Sequence, residues 1–221
     1  MSERSLPSRA LAALLFDMDG TLISSIASAE RIWSRWAEAH GLDVATFLPT
    51  IHGVQSVETI RRLNLPGIDP VAEATAITEA EMEDVDDIVA IEGARTFLEA
   101  LPRDRWAIVT SAPRRLAERR LAAAGMPVPD LLVAAEDVAQ GKPAPDCFLM
   151  AAERLGVAAS DCLVFEDAAA GIRAAEAAGA GVVVVTATHR EPVRTGHPAI
   201  ADYIRLGVSA ERDGIRVTRT A

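Results

Sequence analysis

Cysteine is almost missing from this sequence: two residues, Cys147 and Cys162, in 221. That excludes a disulfide framework in a chain of this length, and the pair reads as ordinary buried thiols of a reducing, cytoplasmic compartment. Long hydrophobic runs are missing too. The run at residues 10–16 (ALAALLF) follows two arginines but meets Asp17 and Asp19 directly, with no small-residue cleavage site between. It therefore reads as neither a signal peptide nor a membrane span. Positive charge is in deficit, with 22 Lys and Arg against 32 Asp and Glu and a formal net charge of −10. Such a surface repels phosphate backbones and anionic lipid, which argues against nucleic acid and membrane as partners. An anionic substrate would need a local cation, either a basic side chain or a metal. His40, His189 and His197 lack ligand spacing and read as surface or capping residues, so no zinc site is expected. Internal repeats and low-complexity tracts are absent, and the composition suits a monomer or weak oligomer.

What is present is apolar material. Half of the residues are hydrophobic, enough for a substantial core and against disorder. Five short runs, residues 11–16, 106–110, 131–134, 162–165 and 181–186, are apolar on both parities, as in strands of a parallel sheet covered on both faces. Between them, residues 113–125, 145–156 and 168–179 read as helices, the first two opening near a Pro and all three closing at a Gly. The alternation predicts an α/β fold: a Rossmann-like, doubly wound parallel sheet. More than seventy residues between the first strand and Gly93 show no strand pattern. Helical spacing covers Ile26, Ala29, Trp33, Trp36, Ala37 and His40, and further helices are expected over residues 54–63 and 70–87. The simplest account is an inserted all-helical cap at residues 24–90 on a core of residues 1–23 and 91–221. Its tryptophans are expected in the cap core, and the acidic stretch 79–87 is expected to be a solvated helix face. Toward the end, residues 202–204 suggest a short edge strand, and residues 208–217 a hairpin turning at Arg212-Asp213-Gly214.

Ligands of open parallel sheets bind beyond the carboxyl ends of the strands. There the sequence places Asp17-Met18-Asp19-Gly20-Thr21, Thr110-Ser111, Gly141-Lys142-Pro143 and Glu166-Asp167. Several carboxylates on one rim repel each other unless a cation joins them, and oxygen ligands alone suit Mg²⁺. Lys142 and Ser111 supply the charge and hydroxyl that a phosphate would need against that metal. Two carboxylates two residues apart can then divide nucleophilic and acid/base work. Phosphoryl transfer through an aspartyl phosphate is the chemistry this combination points to. An EF-hand reading of the D-x-D-G segment fails, since it would need Gly at Leu22 and Glu at Ser28.

The stretches Phe16-Asp17-Met18-Asp19-Gly20-Thr21-Leu22, Val109-Thr110-Ser111, Gly141-Lys142-Pro143 and Phe165-Glu166-Asp167-Ala168-Ala169-Ala170-Gly171 resemble the four motifs of the haloacid dehalogenase-like superfamily, in order and over nearly the whole chain. The resemblance implies that Asp17 is the nucleophile and Asp19 the general acid/base, its backbone carbonyl also binding Mg²⁺. It implies that Ser111, the Ala112 amide and Lys142 hold the phosphate, that Asp167 completes the metal site with Asp17, and that Glu166 either ligates the metal or supports its ligands. Pro113 departs from the pattern and removes one potential amide donor. The cap position is that of the sugar-phosphate phosphatases and β-phosphoglucomutase. Mutases place a His in the first cap helix and an Arg in the cap loop; Ala29 and Ser56 stand at those positions, which favours hydrolysis. The segment around His52, Gly53 and Gln55 is similar to hexitol-, 2-deoxyglucose-6-phosphate and glycerol-phosphate phosphatases, and its loop is expected to meet the substrate. The expectation is a Mg²⁺-dependent phosphatase of small sugar or polyol phosphate monoesters. A sugar phosphomutase is the alternative. A receiver-like phospho-Asp signalling domain is disfavoured, because it needs no seventy-residue cap and would not place Asp19 beside the nucleophile.

Overall fold

The computed structural model describes residues 5–190, 195–211 and 214–220. In chain order the elements are β1 (Ala13–Phe16), β2 (Ile23–Ser24), α1 (Ile26–Ala39), α2 (Val44–Phe47), α3 (Ser56–Leu63), α4 (Pro70–Glu83), β3 (Val89–Ala90) and α5 (Ala94–Glu99). They continue as β4 (Trp106–Val109), α6 (Arg114–Ala123), β5 (Leu132–Val133), α7 (Asp146–Arg154), β6 (Cys162–Glu166), α8 (Ala169–Ala177), β7 (Gly181–Val185), β8 (Ala199–Ile200), β9 (Leu206–Glu211) and β10 (Gly214–Arg219).

Six strands form one parallel sheet in the order β5-β4-β1-β6-β7-β8. The period-two alternation of a strand sends its side chains to opposite faces. Leu14, Phe16, Trp106, Ile108, Leu163, Phe165, Val183 and Val185 pack one face, with α5 and α6. Ala13, Leu15, Ala107, Val109, Cys162, Val164, Val182 and Val184 pack the other, with α7 and α8. This is a doubly wound sheet in which β1, the central strand, lies where the winding reverses. Phe16, the last residue of β1, is fully buried and stacks on Phe165 with centroids 4.9 Å apart.

Between β2 and β3 every element is helical, and α1 to α4 close their own apolar cluster around Trp33, Trp36, Phe47, Ile60 and Ile77. The insert is not free of strand, however: β2 and β3 pair antiparallel at its base, Ile23 opposite Ala90 and Ser24 opposite Val89. Two-residue strands carry no pattern of their own and exist by pairing. The acidic stretch is solvated over most of its carboxylates and departs from that at Glu81. Glu81 is buried and paired with Arg120, Glu79 pairs with Arg115, and Arg31 holds both Asp84 and Asp87. Glu79, Glu83, Asp86 and Asp87 remain exposed as expected, and it is Glu81, turned toward Arg120 of α6, that leaves the solvated face.

The expected edge strand at residues 202–204 is a turn instead. Asp202 Oδ1 accepts the Ile204 amide at 2.9 Å, a local bond that competes with ladder pairing, and the edge strand is β8. Strands β9 and β10 pair antiparallel with Gly214 opposite Glu211, as the hairpin pattern predicts. Its turn residues Arg212 and Asp213 lie outside the described residues. The hairpin is tied to the start of the sheet by Leu11 and Ile215, which exchange two backbone bonds at 2.8 and 2.7 Å.

Truncating Phe16 to Ala should cost about 3–5 kcal/mol, the range for removing a large ring from a packed core. Urea unfolding of the two proteins would check this, and a loss under about 1 kcal/mol would mean that the centre of the sheet is loosely packed.

Candidate active site

The catalytic rim begins where β1 runs out. The Asp17 amide still donates to Phe165 O at 3.0 Å, so the nucleophile candidate is held in the sheet ladder. The chain then turns sharply: the amides of Thr21 and Leu22 both reach Met18 O, and Gly20 takes φ +83°. A side chain at Gly20 is excluded twice, since its Cβ would also lie 2.2 Å from Asp167 Oδ2. Thr21 closes the turn by donating to Asp167 Oδ1 at 3.0 Å, and buried Tyr203 donates to Thr21 O from below.

Lys142 is buried among the other strand ends, 2% exposed, with all three ammonium protons used. It donates to Asp17 Oδ1 at 2.5 Å, to Glu166 Oε1 at 2.8 Å and to Val109 O at 3.2 Å. Glu166 ends β6; its second oxygen accepts the Ala168 amide at 2.6 Å. Glycine is required at 171, where a Cβ would overlap Glu166 Oε1 at 1.5 Å. Asp17, Glu166 and Asp167 are all buried, and each offers an oxygen within 4.8 Å of the others.

Burial pushes Asp17 up to about 8, reinforced by Glu166 and Asp19 and opposed by Lys142. Asp167 is raised well above the carboxylate range by burial and by the charges of Glu166 and Asp17. Burial would lower Lys142, but Asp17 and Glu166 outweigh it and keep the ammonium charged. Three buried carboxylates against one ammonium leave a deficit of positive charge that one divalent cation would close. The donors are hard oxygens, which suits Mg²⁺. The residues therefore fit such an ion.

Beside this centre a cavity is shared by the core and the helical insert. Asp17, Asp19 and Ser111 line it from below; Trp33, His52, Gly53 and Glu81 line it from above. Asp19 Oδ1 accepts from Ser25 Oγ at 2.5 Å and from Arg120 at 3.0 Å. Ser111 Oγ donates to Gly53 O at 2.9 Å, and the Ala112 amide is taken by Thr110 Oγ1 at 3.0 Å. Both phosphate-holding candidates are thus engaged within the protein. His52 faces Glu30 at 3.5 Å, and burial holds its imidazole below the usual value despite that carboxylate. Gln55 does not line the cavity. Its amide donates to Ala135 O at 2.9 Å and its side chain lies over Gly141, so it fastens the insert to the core.

Arg120, Glu81, Ser25 and Thr21 are at the site without having been singled out from the sequence. For Arg120 a signal existed: Leu116, Ala117, Arg120 and Leu121 share the buried stripe of α6. His189, read as a surface or capping residue, contacts Asp167 O through Nε2 at 3.0 Å.

Fold and rim together define an α/β enzyme with a carboxylate–lysine centre under a helical insert. A family model, haloacid dehalogenase-like hydrolase, matches residues 11–179, and the chain belongs to that family of hydrolases. Hexitol phosphatase A of Escherichia coli K12 is 41% identical over 80% of this chain and 84% of its own length. Fructose-1-phosphate phosphatase YqaB of the same organism is 34% identical over 79% and 96%. A crystal structure of β-phosphoglucomutase from Clostridium difficile superposes with a TM-score of 0.71 at 23% identity, covering 79% of this chain and 84% of that one. Likeness at that identity speaks for the fold and not for the reaction.

A carboxyl whose value is higher folded than unfolded loses its stabilising protonation as pH rises, here from about 4 toward about 8 for Asp17. Mg²⁺ should offset that loss. Thermal unfolding should show a larger Mg²⁺-induced rise in midpoint at pH 8 than at pH 6, and equal rises would exclude these carboxylates as ligands.

Proposed function

We propose that this chain, a phosphoric monoester hydrolase, hydrolyses small sugar or polyol phosphates through a phospho-Asp17 intermediate. The observation that carries this reading is Asp17 itself: held by the ladder, bonded to Lys142 and placed in a cavity that Asp19 also lines. The two E. coli relatives, a hexitol phosphatase and a fructose-1-phosphate phosphatase, support the substrate class.

In this reading residues 24–90 act as a cap domain on a core of residues 1–23 and 91–221. Asp17, Glu166, Asp167 and the Asp19 carbonyl would hold Mg²⁺. When bound, that ion offsets the charge of the phosphate and of its own carboxylates. Lys142, Ser111 and the Ala112 amide hold the phosphoryl oxygens, each by exchanging an internal partner for substrate. Asp17 attacks phosphorus in line; the phosphorus–oxygen ester bond breaks as Asp19 gives its proton to the departing alkoxide. Asp19 then takes a proton from water, whose oxygen attacks the phosphoryl group, releasing inorganic phosphate and restoring the Asp17 carboxylate. The cap excludes bulk water during the first step and selects the leaving group. His52 and Gly53 are the cap contacts for that group, with Gln55 keeping their loop in place.

Transfer to a second sugar hydroxyl, as in a mutase, would need a grip on a second phosphate. Ala29 and Ser56 line the cavity where the mutase His and Arg would stand, and neither carries charge. Hydrolysis is the better supported outcome.

Phosphate release from a panel of sugar, polyol and small aliphatic phosphates tests the proposal, with Mg²⁺, with EDTA and with Asp17→Asn. Mg²⁺-dependent release falling by at least about 10³-fold in the variant is the expected result. No release from any compound by folded, Mg²⁺-loaded protein would sink the phosphatase reading and direct attention to isomerisation with a bisphosphate primer.

A further inference from the structure

Arg120 is an unusual residue to find where it is. It sits on α6, one turn past Leu116, only 4% exposed, and it lines the cavity beside Asp17 and Asp19. Its Nη1 donates to Asp19 Oδ1 at 3.0 Å, while Nη2 lies 3.3 Å from Glu81 Oε1 on α4. Glu81 is itself buried. A buried guanidinium costs several kcal/mol of desolvation, and packing alone would be better served by a hydrophobic residue of the same size. Two of its nitrogens, Nε and Nη2, lack a well-formed hydrogen bond, so the geometry is not one that stability alone would select.

The bonds to Asp19 are all on one oxygen. Ser25 and Arg120 both donate to Oδ1, and no described residue donates to Oδ2. Two donors arriving from different elements fix the carboxyl plane and leave Oδ2 as the atom free to carry a proton to and from the reacting groups.

We infer that Arg120 is a positioning residue for Asp19, and that Glu81, supplied by the helical insert, fixes Arg120 so that Asp19 is aligned only while the insert lies on the core. Arg120 does not touch the reacting atoms; it acts through Asp19. The pair Arg120–Glu81 thereby joins the arrival of the cap to the readiness of the acid/base. This rests on the phosphatase reading, which phosphate release by the unaltered protein and its loss in Asp17→Asn test separately.

The experiment compares the unaltered protein with Arg120→Met and Glu81→Gln on two substrates, a polyol phosphate and 4-nitrophenyl phosphate. The polyol leaving group needs a proton; nitrophenolate departs as a stable anion, but its phospho-enzyme still needs Asp19 to activate water. For the polyol phosphate, kcat should fall about 100-fold in Arg120→Met with KM changed less than about 3-fold, within the range that aligned general acid–base catalysis supplies. With 4-nitrophenyl phosphate the same variant should release about one equivalent of nitrophenolate in a burst and then turn over slowly. Glu81→Gln, which keeps volume and a hydrogen-bond acceptor, should show the same pattern at about 10-fold. It also carries the test if Arg120→Met does not fold. A raised KM at unchanged kcat would overturn the inference and make Arg120 a substrate-binding group. Equal loss on both substrates without a burst, tracking a lowered thermal midpoint, would overturn it in favour of a packing role.

Discussion

The site depends on one buried ammonium. Lys142 spends every proton it has on Asp17, Glu166 and a backbone carbonyl, in a place where a charge without partners could not stay. Its presence lets two strand ends, β1 and β6, deliver carboxylates side by side, and it does so incompletely. The third carboxylate, Asp167, finds a hydroxyl from Thr21 but no cation of its own. With the three carboxylates ionised, that leftover negative charge would suit a metal ion and an arriving anion together, since each removes the objection to the other. A site fully neutralised by lysines and arginines would bind phosphate without needing a metal. A site with no lysine would pay too much to keep three carboxylates buried.

The sheet and the insert contribute differently. The centre is assembled wholly from the carboxyl ends of β1, β4 and β6 and from the loop that carries Lys142, all within the doubly wound core. The insert adds no group to the metal-ligand cluster. What it adds is the roof of the cavity and a set of fasteners: Gln55 on Ala135 O, Glu79 on Arg115 and Glu81 on Arg120. Exposed pairs such as Glu79–Arg115 contribute little to stability, about 0–1 kcal/mol each. Such weak ties are compatible with the cap role proposed for the insert, in which it moves against the core.

Most of the fold was legible because its signals are local. Apolar runs of four to six residues, Pro at helix starts and Gly at helix ends sit within one element each, and each of the four motifs is a single short stretch of chain. What escaped was non-local or self-competing. β2 and β3 exist only as each other's partner, and the turn at Asp202 comes from a side chain capturing a backbone amide that the apolar pattern had assigned to a strand. Glu81 read as one of six acidic residues on a wet face, because nothing within its own helix reveals that Arg120 waits 39 residues later. Gln55 was read toward substrate from its loop position, yet a backbone carbonyl across the interface takes its amide. Arg120 was the one missed residue that periodicity could have exposed, as a charge within an apolar stripe.

Ser111 shows why the rest of the site's behaviour cannot be read from motif positions. A serine hydroxyl has one proton to give, and here Gly53 O of the insert holds it at 2.9 Å. The Ala112 amide likewise has one, spent on Thr110 Oγ1. A phosphate oxygen that takes the Ser111 proton must therefore replace Gly53 O as its acceptor, which rotation of the hydroxyl achieves without moving the loop that bears His52. Gly53 has little freedom to yield in place: its φ is +73°, and a Cβ there would sit 2.7 Å from that of Ala168, so the loop already lies as close to the start of α8 as a backbone can. Ser111 is therefore the partner that turns, and the loop keeps its place on the core. On the proposed reading, phosphate and Gly53 O are alternative acceptors for one hydroxyl proton, and the serine makes the exchange with the insert still on the core, where Glu81 meets Arg120.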